Sequence, residues 1–301
     1  MLAPLQTPAE SPLFYSAECL VAMDRLPDGL ALAAQWLLET HLALPREVRY
    51  VADLQRWLLS QVVVAMHYEH QLNPESPPVS HSNVVRTLAA NGIASRNTIH
   101  AFLMEMKRYQ FIAPLQSPDK RQQTMQTTEM TEQLIRRYFD IHLRGLDIID
   151  DGQRHIQFRE HPELLQYAQP RFAWLLLSDD AWCQPPASIA KIVRSDSGSS
   201  VVHDLISGIL MPSAEMTSPI WIGKVSPNMF AKRYGISRTH VARIFRQARE
   251  AGLLGWAKNS NRGDCWVSPE LVRAYRSWQA VKLAALSQAF HYACLQIGIR
   301  R

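Results

Sequence analysis

One stretch of this chain is written twice, and such self-similarity constrains the fold more than any other feature. Residues 95–112 read SRNTIHAFLMEMKRYQFI and residues 237–254 read SRTHVARIFRQAREAGLL, at a constant offset of 142. Ser95 aligns with Ser237, Arg96 with Arg238, Ile99 with Val241, Phe102 with Ile244, Leu103 with Phe245, Met106 with Ala248, Lys107 with Arg249 and Ile112 with Leu254. In both copies the apolar positions recur at i, i+3, i+4 and i+7, the spacing of one buried helical stripe. Ser95 and Ser237 are residue types that accept hydrogen bonds from the otherwise unpaired amides of a first helical turn. The face opposite the stripe holds Asn97, His100, Ala101 and Met104 in the first copy. In the second it holds Thr239, Ala242, Arg243 and Arg246.

A shorter helical stretch and a glycine precede each copy. Residues 84–91 lead into Gly92-Ile93-Ala94, and residues 230–234 lead into Gly235-Ile236, so the first turn carries one extra residue, Ala94. Glycine supplies the positive φ that lets a chain turn sharply between two helices. After each copy the helical period stops. Residues 111–128 and 253–267 each have a short apolar start, a polar turn and an extended return, the pattern of a β-hairpin. The turns are Ser117-Pro118-Asp119-Lys120-Arg121 and Asn259-Ser260-Asn261-Arg262-Gly263. Pro114 suits an edge strand. Similarity resumes beyond the hairpins, where Leu134, Ile135, Arg136 and Tyr138 match Leu271, Val272, Arg273 and Tyr275 at an offset of 137. That offset makes the second hairpin five residues shorter.

A helix, a glycine turn, a capped second helix and a hairpin form a winged helix-turn-helix. The expected fold is therefore mainly α, with tandem winged helix-turn-helix domains, small β-hairpin wings and additional packing helices. The period predicts helices near 16–25, 29–43, 46–70, 82–91, 95–109 and 129–149, then 170–182, 186–194, 199–210, 227–234, 237–251 and 268–296. The expected domains are a helical extension (1–45), a first winged helix (46–150), a helical connector (151–219) and a second winged helix (220–301). Residues 150–159, polar and carrying Gly152, read as the inter-repeat linker.

Charge adds a second asymmetry. Residues 220–301 hold 14 bases and 3 acids, a segment charge of +11 in a chain of net charge +5. A basic unit on a mildly acidic body is a common footprint of nucleic-acid binding, although a solvated basic surface gives the same count. The four cysteines, Cys19, Cys183, Cys265 and Cys294, show neither zinc spacing nor a disulfide framework. Residues 1–15 carry no basic residue before an apolar stretch, unlike a secretory leader. The longest apolar stretches, 31–38 and 61–66, are too short to cross a bilayer. These features lead us to expect a soluble cytoplasmic protein with no membrane contact.

Other motifs weigh less. Trp36, Trp57, Trp174 and Trp182 suit core packing better than a ligand pocket. His67 and His70, at i and i+3, lack further metal ligands. Ser188 and Lys191 match a serine–lysine catalytic spacing without its companion motifs. Nothing in the sequence converges on a nucleophile, a base and an orienting group, so neither an enzyme nor a cofactor is expected.

The first repeat resembles the MarR family of winged-helix transcriptional regulators. The resemblance lies in the capped helix start Ser95-Arg96-Asn97-Thr98-Ile99 and in a wing carrying Asp119, Lys120 and Arg121, followed by Thr128. It implies that Arg121 approaches the minor groove and that Asp119 holds it in position. The second repeat keeps Gly235-Ile236-Ser237-Arg238 but has Lys258, Asn261 and Arg262 in its wing, without Asp-x-Arg. The family usually carries one winged helix per chain and dimerises, whereas this chain carries two.

The expected partner is double-stranded DNA. A recognition helix in the major groove meets a readable pattern of donors and acceptors. Arg238 and Arg243 are candidates for bidentate pairing with guanine, and Asn97 with adenine. His100, Thr239 and His240 suit either bases or phosphates. Arg246, Lys258 and Arg262 suit phosphates, which set affinity rather than sequence preference. The expected function is a sequence-specific transcriptional regulator using two unequal readers as an intramolecular pseudo-dimer. Room remains for a small-molecule effector of unspecified identity and for a homodimer of whole chains. Two alternatives share the architecture: a plasmid-type replication initiator, and an interaction scaffold whose winged helices do not bind DNA.

Overall fold

The computed structural model describes residues 14–89, 92–115, 124–258 and 262–299. The N-terminal helices are α1 (Ala17–Ala22), α2 (Leu26–Ala43), α3 (Pro45–Tyr50) and α4 (Leu54–Leu72). Next come α5 (His81–Ala89), α6 (Arg96–Arg108), strands β1 (Ile112–Pro114) and β2 (Met125–Thr127), and α7 (Glu129–Asp150). The middle of the chain forms α8 (Arg154–Glu160), α9 (Leu164–Leu177), α10 (Asp180–Cys183), α11 (Ala187–Val193) and α12 (Gly198–Ile206). Strand β3 (Ile220–Lys224) follows, then α13 (Pro227–Tyr234), α14 (Arg238–Glu250), β4 (Leu254–Lys258), β5 (Arg262–Val267) and α15 (Pro269–Gln296).

The fold is mainly helical, with two small antiparallel sheets of strand order β1-β2 and β3-β5-β4. Both halves run helix, extended segment, helix, helix, strand, strand, helix. In the second half the first extended segment is β3, paired with β5. In the first it shrinks to a single bridge between Val79 and Met125. Periodicity missed β3, because five residues bent by a bulge between Trp221 and Gly223 carry too little alternation to register.

Other differences have local causes. The helix expected over 46–70 breaks, and Asp53 caps a new start by accepting from the Arg56 amide at 2.9 Å. The helix expected from Pro170 begins six residues earlier, at Leu164, and proline sits inside it. Packing of α9 between α4 and α15 offsets the roughly 3 kcal/mol that an interior proline costs. The expected linker is largely α8. Asp147 accepts from the backbone amides of Arg154 and His155 at 3.0 and 2.9 Å, and from Arg154 Nη1 at 2.9 Å. Arg154 also pairs with Asp150. Residues that look solvent-seeking in the sequence are thus held in a largely buried ion-pair network.

A continuous buried cluster runs from Tyr15 to Cys294 and draws on every segment of the described chain. Its centre is α2, α4, α7, α9 and α15. Helices α2 and α7 approach closely because Gly29 faces Gly145; a Cβ on Gly29 would lie 2.4 Å from the Gly145 carbonyl oxygen. Phe172 of α9 meets Phe139 of α7 edge-on at 5.2 Å, and Trp182 stacks on Trp278 of α15 at 4.3 Å. Among the described residues no helix is long and apolar enough to cross a membrane.

The structure also corrects the register of the repeat. The Phe111 amide donates to Met106 and the Leu253 amide to Ala248, which preserves the offset of 142 into the strands. Ile112 then pairs with Thr127, and Leu254 with Val267. Thr128 and Ser268 cap the following helices and donate their amides to Phe111 and Leu253. The offset beyond the hairpin is therefore 140, and the second hairpin is two residues shorter, not five. The sequence match over 134–138 lies three residues out of register. Residues three apart share a helical stripe, so the pattern repeats almost as well one turn along.

Candidate nucleic-acid interface

Each repeat presents one capped helix on an apolar support. In α6, Ile99, Phe102, Leu103 and Met106 are buried; in α14, Val241, Ile244, Phe245 and Ala248 are buried. Ser95 Oγ accepts from the Thr98 amide at 3.2 Å, and Ser237 Oγ accepts from the His240 amide at 3.1 Å. Gly92 and Gly235 both take φ +62°, the left-handed conformation the turn needs. The preceding helices, α5 and α13, pack on α6 and α14 respectively. These local devices hold the opposite faces outward.

What those faces carry differs. On α6, Arg96, Asn97, His100, Ala101, Met104, Lys107 and Arg108 are exposed, with Ser95 at the helix start. The His100 ring rests edge-on against His81 at 5.2 Å. On α14, Arg238, Thr239, Arg243, Arg246 and Arg249 are exposed, with Ser237 at the start. Among the described ion pairs none engages Arg238, Arg243 or Arg246. Their positive charge faces solvent without a carboxylate to offset it.

His240 departs from the expected arrangement. It is half-buried, and its Nε2 lies 3.0 Å from the Asp196 carbonyl oxygen in the segment before α12. Arg243 Nη2 lies 3.1 Å from His240 Nδ1. An imidazole protonated on Nε2 satisfies both contacts, donating to Asp196 and accepting from Arg243. His240 therefore ties α14 to the segment before α12 and steers Arg243, rather than standing open beside it.

The basic count of the C-terminal segment overstates its outward charge. Arg233 pairs with Asp204 of α12. Arg276 is buried and donates to the Ile209 and Met211 carbonyls at 2.5 and 2.8 Å. Lys282 is buried inside the bundle. Arg273 donates to the Met216 carbonyl at 3.0 Å. The cations that stay outward include those of α14, Lys224 on β3, Lys232 on α13 and, at the end of β4, Lys258, which is exposed opposite Arg262.

Asp119, Lys120, Arg121 and Asn261 lie outside the described residues, as does the side chain of Arg262. The remaining candidates fall on the two helices and β4. The weaker motifs have other partners. His67 Nδ1 accepts from the Thr127 amide at 3.5 Å, and His70 Nδ1 lies 2.7 Å from the Ser76 carbonyl. Among the described residues no group of three or more His, Cys, Asp or Glu residues could hold a metal. Trp174 Nε1 donates to Glu69 at 2.5 Å, and the Trp36 ring lies under the Arg144 guanidinium. Trp57 and Trp182 line a large cavity between the two halves. Sequence reasoning missed the lysine in that cavity. Its signal was a charged residue, Lys282, in line with Trp278 and Leu286 on an otherwise apolar helix face.

Comparison with known proteins found no matching family model, curated protein or solved structure.

Proposed function

We propose that this chain is a sequence-specific, double-stranded DNA-binding transcriptional regulator whose two halves are tandem winged helix-turn-helix units. One observation carries the reading: a capped, outward-facing helix occurs twice on the same support, and the second copy bears three exposed arginines, Arg238, Arg243 and Arg246, with no acidic partner among the described residues. Guanidinium groups on such a helix suit guanine edges and phosphates. Resemblance to the MarR family around residues 95–128 favours the same conclusion.

The two units share one core, which supports a pseudo-two-fold monomer standing in for the usual homodimer. On this reading the recognition helices sit about one DNA turn apart, ~34 Å, and read two different half-sites. Selection from random DNA followed by footprinting tests it. The expected product is an asymmetric site with roughly 10 base pairs between half-site centres. A short perfect palindrome bound by two chains, each using one repeat, would falsify the arrangement. Absence of any selected sequence would remove the function and leave an interaction scaffold.

A further inference from the structure

The repeat register places Tyr138 and His142 of α7 at the positions of Trp278 and Lys282 of α15. Both long helices carry these residues into the same central region. There they meet α2, α4 and α12 around a cavity of about 730 Å³. That volume lies within the roughly 300–1,000 Å³ of small-molecule sites. Its walls are largely apolar, with Leu38, Val64, Trp57, Trp182, Tyr138 and Trp278 among them.

Lys282 lines this cavity and is only 4% exposed. The described structure gives it no hydrogen bond and no ion pair. Its ammonium lies 5.8 Å from the Tyr138 ring centre, a weak cation–π contact. Three acids also line the cavity: Asp204 is taken by Arg233 and by the Tyr234 hydroxyl, the latter at 2.9 Å, Asp28 acts on Arg25 and Arg276, and Glu47 is half-buried; none of the described ion pairs joins them to Lys282. His203, also in the wall, is held by the Tyr275 hydroxyl at 2.6 Å from Nδ1. Burying an amine this deeply without a partner is costly, and cores normally place a neutral apolar residue there.

We infer that this cavity is a binding site for an organic monoanion, a carboxylate on an apolar body, with Lys282 as its counter-ion. The chemistry selects the class. A cation would meet a like charge, and a neutral apolar molecule would leave the ammonium unpaired. A phosphate dianion would need a second buried cation, whereas the other cation of the lining, Arg137, is exposed at its outer side. The aromatic and aliphatic walls take the apolar body. The inference stands whether or not the chain binds DNA.

The test uses the full chain without DNA. Equilibrium dialysis measures 2-naphthoate, 4-phenylbutanoate and octanoate, each beside its matched alcohol and amine. At least one acid should bind, and more tightly than its alcohol or amine by roughly 10–100-fold, the worth of a charge-assisted hydrogen bond. Lys282→Met should abolish that preference while leaving the alcohol's affinity unchanged, and Lys282→Arg should restore part of it. Failure of all three acids to bind, or equal binding of acid and alcohol by the native chain, overturns the inference. So does an undiminished acid preference in folded Lys282→Met. If that variant does not fold, the acid–alcohol–amine comparison on the native chain decides alone.

Discussion

Helices α6 and α14 are built alike and equipped differently. Each starts on a serine cap, follows a left-handed glycine and buries four apolar residues at the same spacing. Outward, Ala101 and Met104 of the first stand where the second has Arg243 and Arg246. The difference teaches where the physical constraint lies. Cap, turn and stripe answer to the core, and changing any of them costs stability. The exposed face has few contacts with the fold, chiefly His100 on His81 and Arg243 on His240, so it is where the two copies are able to part. Unequal readers imply unequal half-sites on the proposed DNA.

The largest expected effect is ionic. A total of about 6–10 phosphate contacts should lower DNA affinity by roughly three to five decades between 50 and 200 mM salt. Anisotropy titrations across that range measure it, and a flat affinity would remove the electrostatic half of the comparison. The slope should fall by about one for each phosphate-binding cation removed from α14.

Next in size, Arg243→Ala should weaken specific binding by about 1–3 kcal/mol if it reads a base, and more if Arg238 and Arg246 are removed with it. Asn97→Ala in α6 should cost less. Equal losses from the two single variants would make the readers equivalent in energy despite their different faces.

The paired long helices offer a comparison in stability that is separate from DNA. Burial lowers Lys282 from its ordinary 10.5 to about 7. The unfolded chain then holds more protons than the folded one between those values, so stability rises with pH across that window. Below pH 7 the full cost of burying the charge is present. Lys282→Met should therefore stabilise the protein there by something on the order of 5 kcal/mol, a gain that fades towards pH 10.5. His203 acts in the same direction at lower pH. Burial, and then the Lys282 charge, lower it from 6.5 to about 3, so stability falls as pH drops through that range. Urea midpoints measured from pH 4 to 10 follow both. A Lys282→Met gain that does not change with pH would mean the amine is not the source of the cost.

The smallest effects should be equal between the copies. Ser95→Ala and Ser237→Ala each remove one cap hydrogen bond and should cost about 1 kcal/mol. Gly92→Ala and Gly235→Ala each place a side chain at positive φ, in open space, and should cost a similar amount. Thermal melts compare them. A large difference within either pair would show that the two supports are less alike than their hydrogen bonds suggest.

The sequence by itself determined what depends on residues close in the chain. Caps, the glycine turns, the i, i+3, i+4 stripes and the strands after α6 and α14 are short-range events. Their signals stand in SRNTIHAFLMEM and SRTHVARIFRQA before any packing is known. Tertiary structure decided the rest, because long-range partners decide it. Asp147, near the end of α7, turned a polar stretch into α8. Pairing with β5 made a strand of residues 220–224, which show no clear alternation. Helical near-periodicity hid the offset of 140, which only cross-strand pairing fixes. The Asp196 carbonyl took His240 from the exposed face, and Asp204 took Arg233. Lys282 is one lysine among 32 bases in the sequence. Only the packing of α7 and α15 with α2, α4 and α12 encloses it in a largely apolar cavity with no counter-ion among the described residues, because burial belongs to the packed bundle and not to any residue alone.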